Sequence, residues 1–240
     1  MTHVPDICRR VLWSRWGVVA YCLAACFLVG AEGAQAQDEA QKWMDIPEEI
    51  WTEMISDGNS WHPNMGCLEQ HDLALVKVPY LDFKGRSQTG ELIVARSVAD
   101  EVFDAFTEIF RSKAFRIERM ERIDKYAGDD DASMAANNTS AFNCRYVGGT
   151  TTLSAHALGI AIDINPVQNP LVAGTKVYPP EGKDYVIDRS AETTGIILAG
   201  DVVTIAFSKV KTSPTGNSWV WGGDWTGTRK DYQHFSENGK

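Results

Sequence analysis

A histidine and an aspartate stand on either side of an alternating apolar run in the stretch SAHALGIAIDINP, residues 154–166. Six residues separate His156 from Asp163, a spacing that fits neither one helical turn nor one face of a single strand. Their side chains can still meet if a loop that carries the histidine leads into a strand that carries the aspartate. Both residue types bind metal ions and exchange protons.

The C-terminal stretch WVWGGDWTGTRKDYQHFS contains a second aspartate and histidine. Asp231 and His234 are three residues apart there, so one helical turn or a tight bend would bring them together. His156, Asp163 and His234 would make a His-Asp-His set that suits a catalytic zinc ion with one position open to water. Spacing alone leaves a plainer interpretation open, in which His156 is a hydrogen-bonded loop histidine, Asp163 caps a turn and His234 lies in a frayed tail.

Strands are predicted on both sides of the first histidine. The alternation in LALVKVPYLDF, residues 73–83, is typical of a strand, and Pro79 indicates an edge position. The following KGRSQTGELIV predicts a turn and then a strand that ends near Val94. The run IAIDI predicts a strand in which Ala161 and Asp163 share a face.

Three helices are predicted from apolar spacing. Residues 37–60 favour a short amphipathic helix after Pro47, and residues 98–110 favour a longer one with Ser97 as its N-cap. Residues 201–210 are ambiguous, because their β-branched side chains favour a strand whereas their apolar stripe favours a helix. We predict a helix there.

The first 36 residues indicate export. Arginines precede an apolar run over residues 16–30, and Ala-Gln-Ala at 34–36 is typical of a signal-peptidase site. An apolar run of about 15 residues is shorter than the roughly 20 that span a bilayer, so we expect no transmembrane anchor after processing. The sequence LAAC ending at Cys26 leaves open a lipoprotein, although the apolar run continues past this cysteine.

Composition and charge restrict the partners. Hydrophobic residues make up 44% of the 240 residues and charged residues 23%, which is ordinary for a globular domain with a packed core. The net charge is −9, and the basic residues between 111 and 125 are interleaved with acidic ones, so we expect no nucleic-acid partner. The acidic run at 129–131 predicts a solvated turn.

Only two of the five cysteines, Cys67 and Cys144, lie beyond the predicted leader. Two cysteines in an oxidising compartment predict a disulfide between them. A thiolate nucleophile or a metal ligand at Cys144 is the alternative. We expect a periplasmic or extracellular location.

The motif SAHALGIAID, residues 154–163, resembles the S-x-H-x-x-G-x-A-x-D signature of a family of zinc peptidases. This family includes VanY-like D-alanyl-D-alanine carboxypeptidases and L-alanyl-D-glutamate endopeptidases. WGGDW followed by DYQHF is similar to the family's second motif, in which an acidic residue stands three positions before the last histidine. NNTSAFNCR, residues 137–145, resembles the segment that delivers an arginine upstream of the first ligand. The resemblance runs from about residue 73 to 235.

The resemblance implies that His156, Asp163 and His234 hold Zn²⁺ and that Asp231 is the general base. Zinc lowers the pKa of bound water toward about 7, and a nearby carboxylate can accept the proton as that water attacks a peptide carbonyl. The carboxylate would then pass the proton to the leaving amine.

Two further residues gain roles from the resemblance. Arg145 matches the family arginine, which could stabilise an oxyanion or hold a substrate carboxylate, although a surface salt bridge would also account for it. Ser154 could bind substrate or orient His156, or it could be a plain turn serine.

The resemblance implies an exported zinc peptidase that cleaves peptidoglycan stem peptides. Its fold would be α+β, with a small antiparallel sheet that carries the zinc site and helices that flank it. We expect a signal peptide at 1–36, a lead-in segment at 37–70, a catalytic domain at 71–240 and a monomer. Asp231, where many of the carboxypeptidases have glutamate, favours the L-Ala-D-Glu bond. A D-alanyl-D-alanine carboxypeptidase and a non-catalytic, zinc-containing wall-binding domain are the alternatives.

Overall fold

The structure is a computed structural model that describes residues 41–56 and 59–237. The predicted signal peptide and Cys26 lie outside these residues. Within the described ranges, no helix has the length and apolar character needed to cross a membrane.

The described residues form short helices and strands, all but one pair of the strands antiparallel. The helices are α1 (Glu48–Ile55), α2 (Ala99–Ser112), α3 (Asp130–Ala135), α4 (Asp184–Ile187) and α5 (Val202–Phe207). The strands are β1 (Trp43–Met44), β2 (Leu73–Leu81), β3 (Ser87–Ala95), β4 (Arg119–Met120), β5 (Asn138–Thr139), β6 (Ala161–Asp163), β7 (Leu171–Ala173), β8 (Lys176–Tyr178), β9 (Lys211–Thr212), β10 (Asn217–Ser218), β11 (Val220–Trp221), β12 (Arg229–Asp231) and β13 (His234–Ser236). This arrangement confirms the predicted α+β class.

The main core lies between the first sheet and two helices. β2 and β3 pair along their whole length, and the apolar face of α2 packs against them through Val102, Phe106 and Ile109. α5 packs on α2, where the rings of Phe106 and Phe207 meet edge to face at 5.3 Å. Each such buried side chain contributes roughly 2 kcal/mol to stability. The smaller sheets pack on the stable core that these side chains form.

The predicted helices and strands are present, with one error at a cap. The predicted helix after Ser97 begins later, because residues 96–98 form a 3₁₀ turn and Val98 takes the N-cap position without a side-chain bond. Pro79 lies in β2 and pairs with β3 on one side. On the other side, β1 pairs only with Leu75 and Val76, so no described strand pairs with Pro79 there. The ambiguous segment after Asp201 is helical, and the Asp201 carboxylate caps α5.

Two small sheets carry the candidate site. One has the order β11-β13-β6, and its register places His234 directly opposite Asp163. The other has the order β12-β7-β8 and ends at Asp231. The two residues between β12 and β13 form a turn that passes from one sheet to the other. Of the helical turn and the tight bend that the spacing of Asp231 and His234 allowed, the tight bend is present.

A second core joins the first helix to the site region. Met54 of α1 packs in a cluster that also contains Ala157, next to the first histidine, and the two cysteines of a disulfide. Cys67 and Cys144 form a disulfide bond, and they are 77 residues apart in the sequence. Because β1 and α1 both contact the rest of the fold, residues 41–56 are integrated with it. The domain boundaries at residues 36 and 70 stay predictions.

The disulfide generates a stability prediction. Replacement of Cys67 and Cys144 by alanine should lower the free energy of unfolding by about 4 kcal/mol, because the unfolded chain regains the entropy of a long open loop. Urea unfolding measures this change. Under reducing conditions, the native protein should have the same free energy of unfolding as the double variant. Equal urea midpoints for the oxidised native protein and the variant would contradict the prediction.

Candidate metal centre

A tight turn presents the first histidine. Ser154 caps a 3₁₀ turn over Ala155–Leu158, and its hydroxyl accepts a hydrogen bond from the backbone N–H of His156 at 3.2 Å. Gly159 ends the turn with φ +61°, and a Cβ at this position would collide with the backbone of Ala95 at the end of β3. The motif glycine therefore lets the turn pack closely against β3.

Backbone pairing on both sides fixes the aspartate. Asp163 lies opposite His234 in the β6–β13 pair, and its other edge exchanges two backbone hydrogen bonds with Ser140, at 2.9 and 3.0 Å. A strand bonded on both sides has little freedom, so the carboxylate and the second histidine are held face to face.

Three ligand-type atoms converge at this point. His156 Nε2 lies 3.3 Å from His234 Nδ1 and 3.2 Å from Asp163 Oδ2, and His234 Nδ1 lies 2.9 Å from Asp163 Oδ1. All three side chains are buried. We refer to them as the His-Asp-His cluster, and this cluster could hold a metal ion.

The geometry of the His-Asp-His cluster fits a metal. Ligand atoms at about 2.0–2.1 Å from a tetrahedral zinc ion lie about 3.3 Å apart, close to the observed separations. The outward ring nitrogens are also engaged, since His156 Nδ1 lies 2.6 Å from the carbonyl oxygen of Ala141 and His234 Nε2 lies 3.0 Å from Ser236 Oγ. A carbonyl can only accept, so Nδ1 of His156 carries the proton and Nε2 presents its lone pair inward.

The opposite charges of Asp163 and His156 stabilise each other within the cluster. Burial alone would raise the pKa of Asp163 and lower that of His156, because it disfavours both charges. Their mutual attraction outweighs burial, so the pKa of Asp163 lies well below its usual range and the pKa of His156 is raised. When His156 is charged, its Nε2 carries a second proton, and a bound cation would replace this proton as the positive partner of the carboxylate.

Asp231 lies beside the cluster in an enclosed position. Burial raises the pKa of its carboxyl to about 6; the charge of His234 lowers this pKa and that of Asp163 raises it again. Asp231 therefore lies within electrostatic reach of both residues. Its Oδ1 is buried and has no hydrogen-bond partner among the described residues.

The WGG segment explains why Asp231 sits where it does. The indole N–H of Trp221 donates to the carbonyl of Tyr232, inside the turn that joins Asp231 to the second histidine, at 2.7 Å. Gly222 packs so closely that an added Cβ would collide with the backbone oxygen of Asp231. These two residues clamp the turn from one side.

The other two predicted site residues make local contacts. Arg145 forms an ion pair with Asp130, with Nη2 2.8 Å from Oδ2, so the salt bridge considered as an alternative is present. The Ser154 hydroxyl accepts a hydrogen bond from the backbone N–H of His156. The acidic run at 129–131 starts a helix, where a turn was predicted, because Asp129 caps α3. Asp129 and Asp131 are exposed as predicted, whereas Asp130 is partly buried and pairs with Arg145.

Sequence reasoning missed three partners of the site. Ser236 stands two residues after His234 and thus on the same strand face, a signal that could have identified it. The carbonyl of Ala141 leaves no trace in the sequence, because every residue type has one. Asp130 could not be distinguished from its acidic neighbours.

A buried His-Asp-His cluster that could hold a metal ion lies beside an enclosed carboxylate, which is the set of groups that a mononuclear metallohydrolase needs. Residues 148–237 match the model of a protein family described as D-alanyl-D-alanine carboxypeptidase. This match confirms the resemblance to the VanY-like family and supports a metal-dependent peptidase that acts on peptidoglycan. The matched segment contains the His-Asp-His cluster and Asp231, and it begins three residues after Arg145. No curated protein and no solved structure matches the chain.

The cluster generates a metal-binding prediction. His156→Ala should abolish stoichiometric metal binding, because it removes an imidazole ligand, whereas Asp231→Asn should bind metal as the native protein does. Elemental analysis of the purified variants measures the stoichiometry. His71→Ala, which changes an exposed histidine, is the matched control and should keep the metal. Metal retention by His156→Ala, or metal loss by Asp231→Asn, would contradict the assignment.

Proposed function

We propose that this protein is an exported zinc peptidase that hydrolyses the L-Ala-D-Glu bond of peptidoglycan stem peptides. The observation that carries the proposal is the His-Asp-His cluster with the buried Asp231 beside it, whose Oδ1 has no hydrogen-bond partner among the described residues, all within the segment that matches the peptidase family. A purely structural metal site has no use for an additional buried carboxylate, which argues against a non-catalytic wall-binding domain.

His156, Asp163 and His234 would hold the ion. Two imidazoles and a carboxylate suit zinc, and three protein ligands leave a coordination position open. A bound zinc ion supplies Lewis acidity to the site. The second contacts of the two histidines, to Ala141 and Ser236, fix the ring orientations in which the inward nitrogens bind.

Asp231 would move the proton. Its Oδ1 has no partner among the described residues, so it can accept a proton from the attacking water and then transfer it to the leaving amine of the cleaved bond. The clamp by Trp221 and Gly222 keeps the carboxylate in one place during both transfers.

Arg145 would bind a negatively charged or polarised oxygen of the substrate. Its Nε is buried without a hydrogen-bond partner among the described residues, and it lies near enough to His156 to lower the pKa of that residue. A guanidinium N–H directed at a developing oxyanion stabilises the transition state. Ser154, buried at the start of the histidine turn, would orient His156.

The residue type of the base favours the endopeptidase reaction. Asp231 matches the L-alanyl-D-glutamate endopeptidases, in which aspartate is common at this position, and the WGGDW sequence points to the same branch. The description of the matching family instead names a D-alanyl-D-alanine carboxypeptidase, which makes release of terminal D-alanine the second candidate.

The disulfide supports an export route. Cys67 and Cys144 are bonded to each other, a state that persists in oxidising compartments and is rare in the cytosol. We propose that the protein acts as a monomer in the periplasm or outside the cell.

Product analysis tests the proposed function. Zinc-loaded protein lacking residues 1–36 is incubated with purified muropeptides, and the products are identified by mass spectrometry. We expect new C-terminal L-Ala and N-terminal D-Glu, with no products after chelation or from Asp231→Asn. Free D-Ala would transfer the assignment to the carboxypeptidase, and no product at full zinc occupancy would contradict a catalytic role.

The packing of Gly222 generates a second activity prediction. Gly222→Ala should lower kcat by roughly tenfold or more while zinc stays bound, because the added methyl displaces Asp231 and leaves the ligands in place. Gly148→Ala is the matched control, since a Cβ there meets no atom within 4 Å. Native turnover by Gly222→Ala would show that Asp231 need not be held in its observed position.

A further inference from the structure

We propose that Asp130 is a positioning residue for Arg145, which it holds against the metal centre through an ion pair. The inference rests on the proposed function, because it concerns how the arginine is delivered to the substrate. It assigns a role to one member of an acidic run that otherwise has the character of a solvated surface.

The ion pair is short and partly shielded from solvent. Arg145 Nη2 lies 2.8 Å from Asp130 Oδ2, and each side chain is 28% exposed. The other contact of this guanidinium is weak, with Nη1 3.5 Å from the carbonyl of Tyr146. Among the described residues, Asp130 is therefore the only carboxylate that pairs with Arg145.

The framework that holds Asp130 is rigid. Asp130 is the first residue of α3, and the carboxylate of Asp129 caps this helix by accepting from the N–H of Ala132 at 3.0 Å. Gly128, at φ +70°, precedes them, and a Cβ there would collide with the backbone of Asn59. The start of α3 is thus packed against a second segment of the chain.

The backbone of Arg145 is fixed independently. Cys144 is joined to Cys67, and its N–H donates to the carbonyl of Ser60 at 2.8 Å. The carbonyl of Arg145 accepts from the N–H of Ser154, in the turn that carries the first histidine. Backbone anchors do not choose among the many rotamers of a long arginine side chain, so the ion pair selects the conformation.

The ion pair also joins the start of α3 to the segment that carries Arg145. The side-chain amide of Asn143 donates to the carbonyl of Gly128 at 3.1 Å, which ties the arginine segment to the turn before α3. The backbone N–H of Asn143 donates to the carbonyl of His156 at 3.3 Å. The segment that carries Arg145 therefore lies next to the first histidine of the cluster.

Only some of the N–H donors of the Arg145 guanidinium are used by the ion pair. Asp130 accepts from one Nη2 hydrogen, whereas the buried Nε–H has no acceptor among residues 41–56 and 59–237. A substrate carbonyl or carboxylate oxygen is the acceptor that would satisfy it. Asp130 therefore holds the guanidinium through Nη2 and leaves the Nε–H as the donor for substrate.

A matched pair of variants tests the inference. Asp130→Asn should lower kcat by roughly tenfold or more with zinc still bound, because Arg145 leaves its position, and Asp130→Glu should recover part of the loss. Asp131→Asn removes the same charge from the same first turn of α3, at an exposed residue, and should keep native kcat and KM. In an Arg145→Ala background, Asp130→Asn should cause no further loss, because the two residues act as a unit.

The outcomes separate the inference from the proposed function. Nitrogen-15 NMR of the arginine Nε–H groups should show Arg145 ordered in the native protein and in Asp131→Asn, and mobile in Asp130→Asn. An active native protein with equal kcat in Asp130→Asn, or an ordered Arg145 in that variant, would overturn the positioning role alone. A zinc-loaded native protein that cleaves no stem peptide would overturn the proposed function and, with it, the catalytic purpose of the pair.

Discussion

The burial of one carboxylate between two imidazoles is the constraint on which the site depends. An isolated buried charge such as Asp163 is costly, and the two histidines make it tolerable by attraction and hydrogen bonding. The antiparallel register of β6 with β13 supplies one histidine directly across from the carboxylate, and a capped turn supplies the other. A bound cation strengthens the same arrangement, so the features that fold this region also prepare it for a metal.

The surrounding structure serves to keep this polar cluster in one geometry. The first sheet and α2 form a large apolar platform, and Gly159 lets the histidine turn rest directly on β3. Trp221 and Gly222 clamp the turn that carries Asp231, while the disulfide fixes the segment that carries Arg145. Three separate chain segments thus contribute to the site, each restrained by its own local contacts. Such redundancy suits a site in which a displacement of about 1 Å would reduce activity substantially.

The sequence predicted those features that local patterns encode. β2, β3, α1, α2 and α5 follow from apolar periodicity, and the tight bend between Asp231 and His234 follows from their spacing. The cap at Ser97 was wrong because a 3₁₀ turn precedes the helix and buries Val98 in the main core, a tertiary contact that no short sequence window contains. Asp130 was missed for a related reason: its partner lies in another segment, and an acidic run gives no sign of which carboxylate will face a cation. The carbonyl of Ala141 has no sequence signal at all.

The central claim is that the His-Asp-His cluster binds the metal through two inward imidazole nitrogens and one carboxylate. X-ray absorption at the zinc edge of the zinc-loaded protein tests this claim directly. We predict a four- or five-coordinate ion with two nitrogen ligands at about 2.0–2.1 Å, oxygen ligands at similar distances and the multiple-scattering signal of two imidazoles. A shell of oxygen atoms without an imidazole signal, or a shell that contains sulfur, would contradict the account.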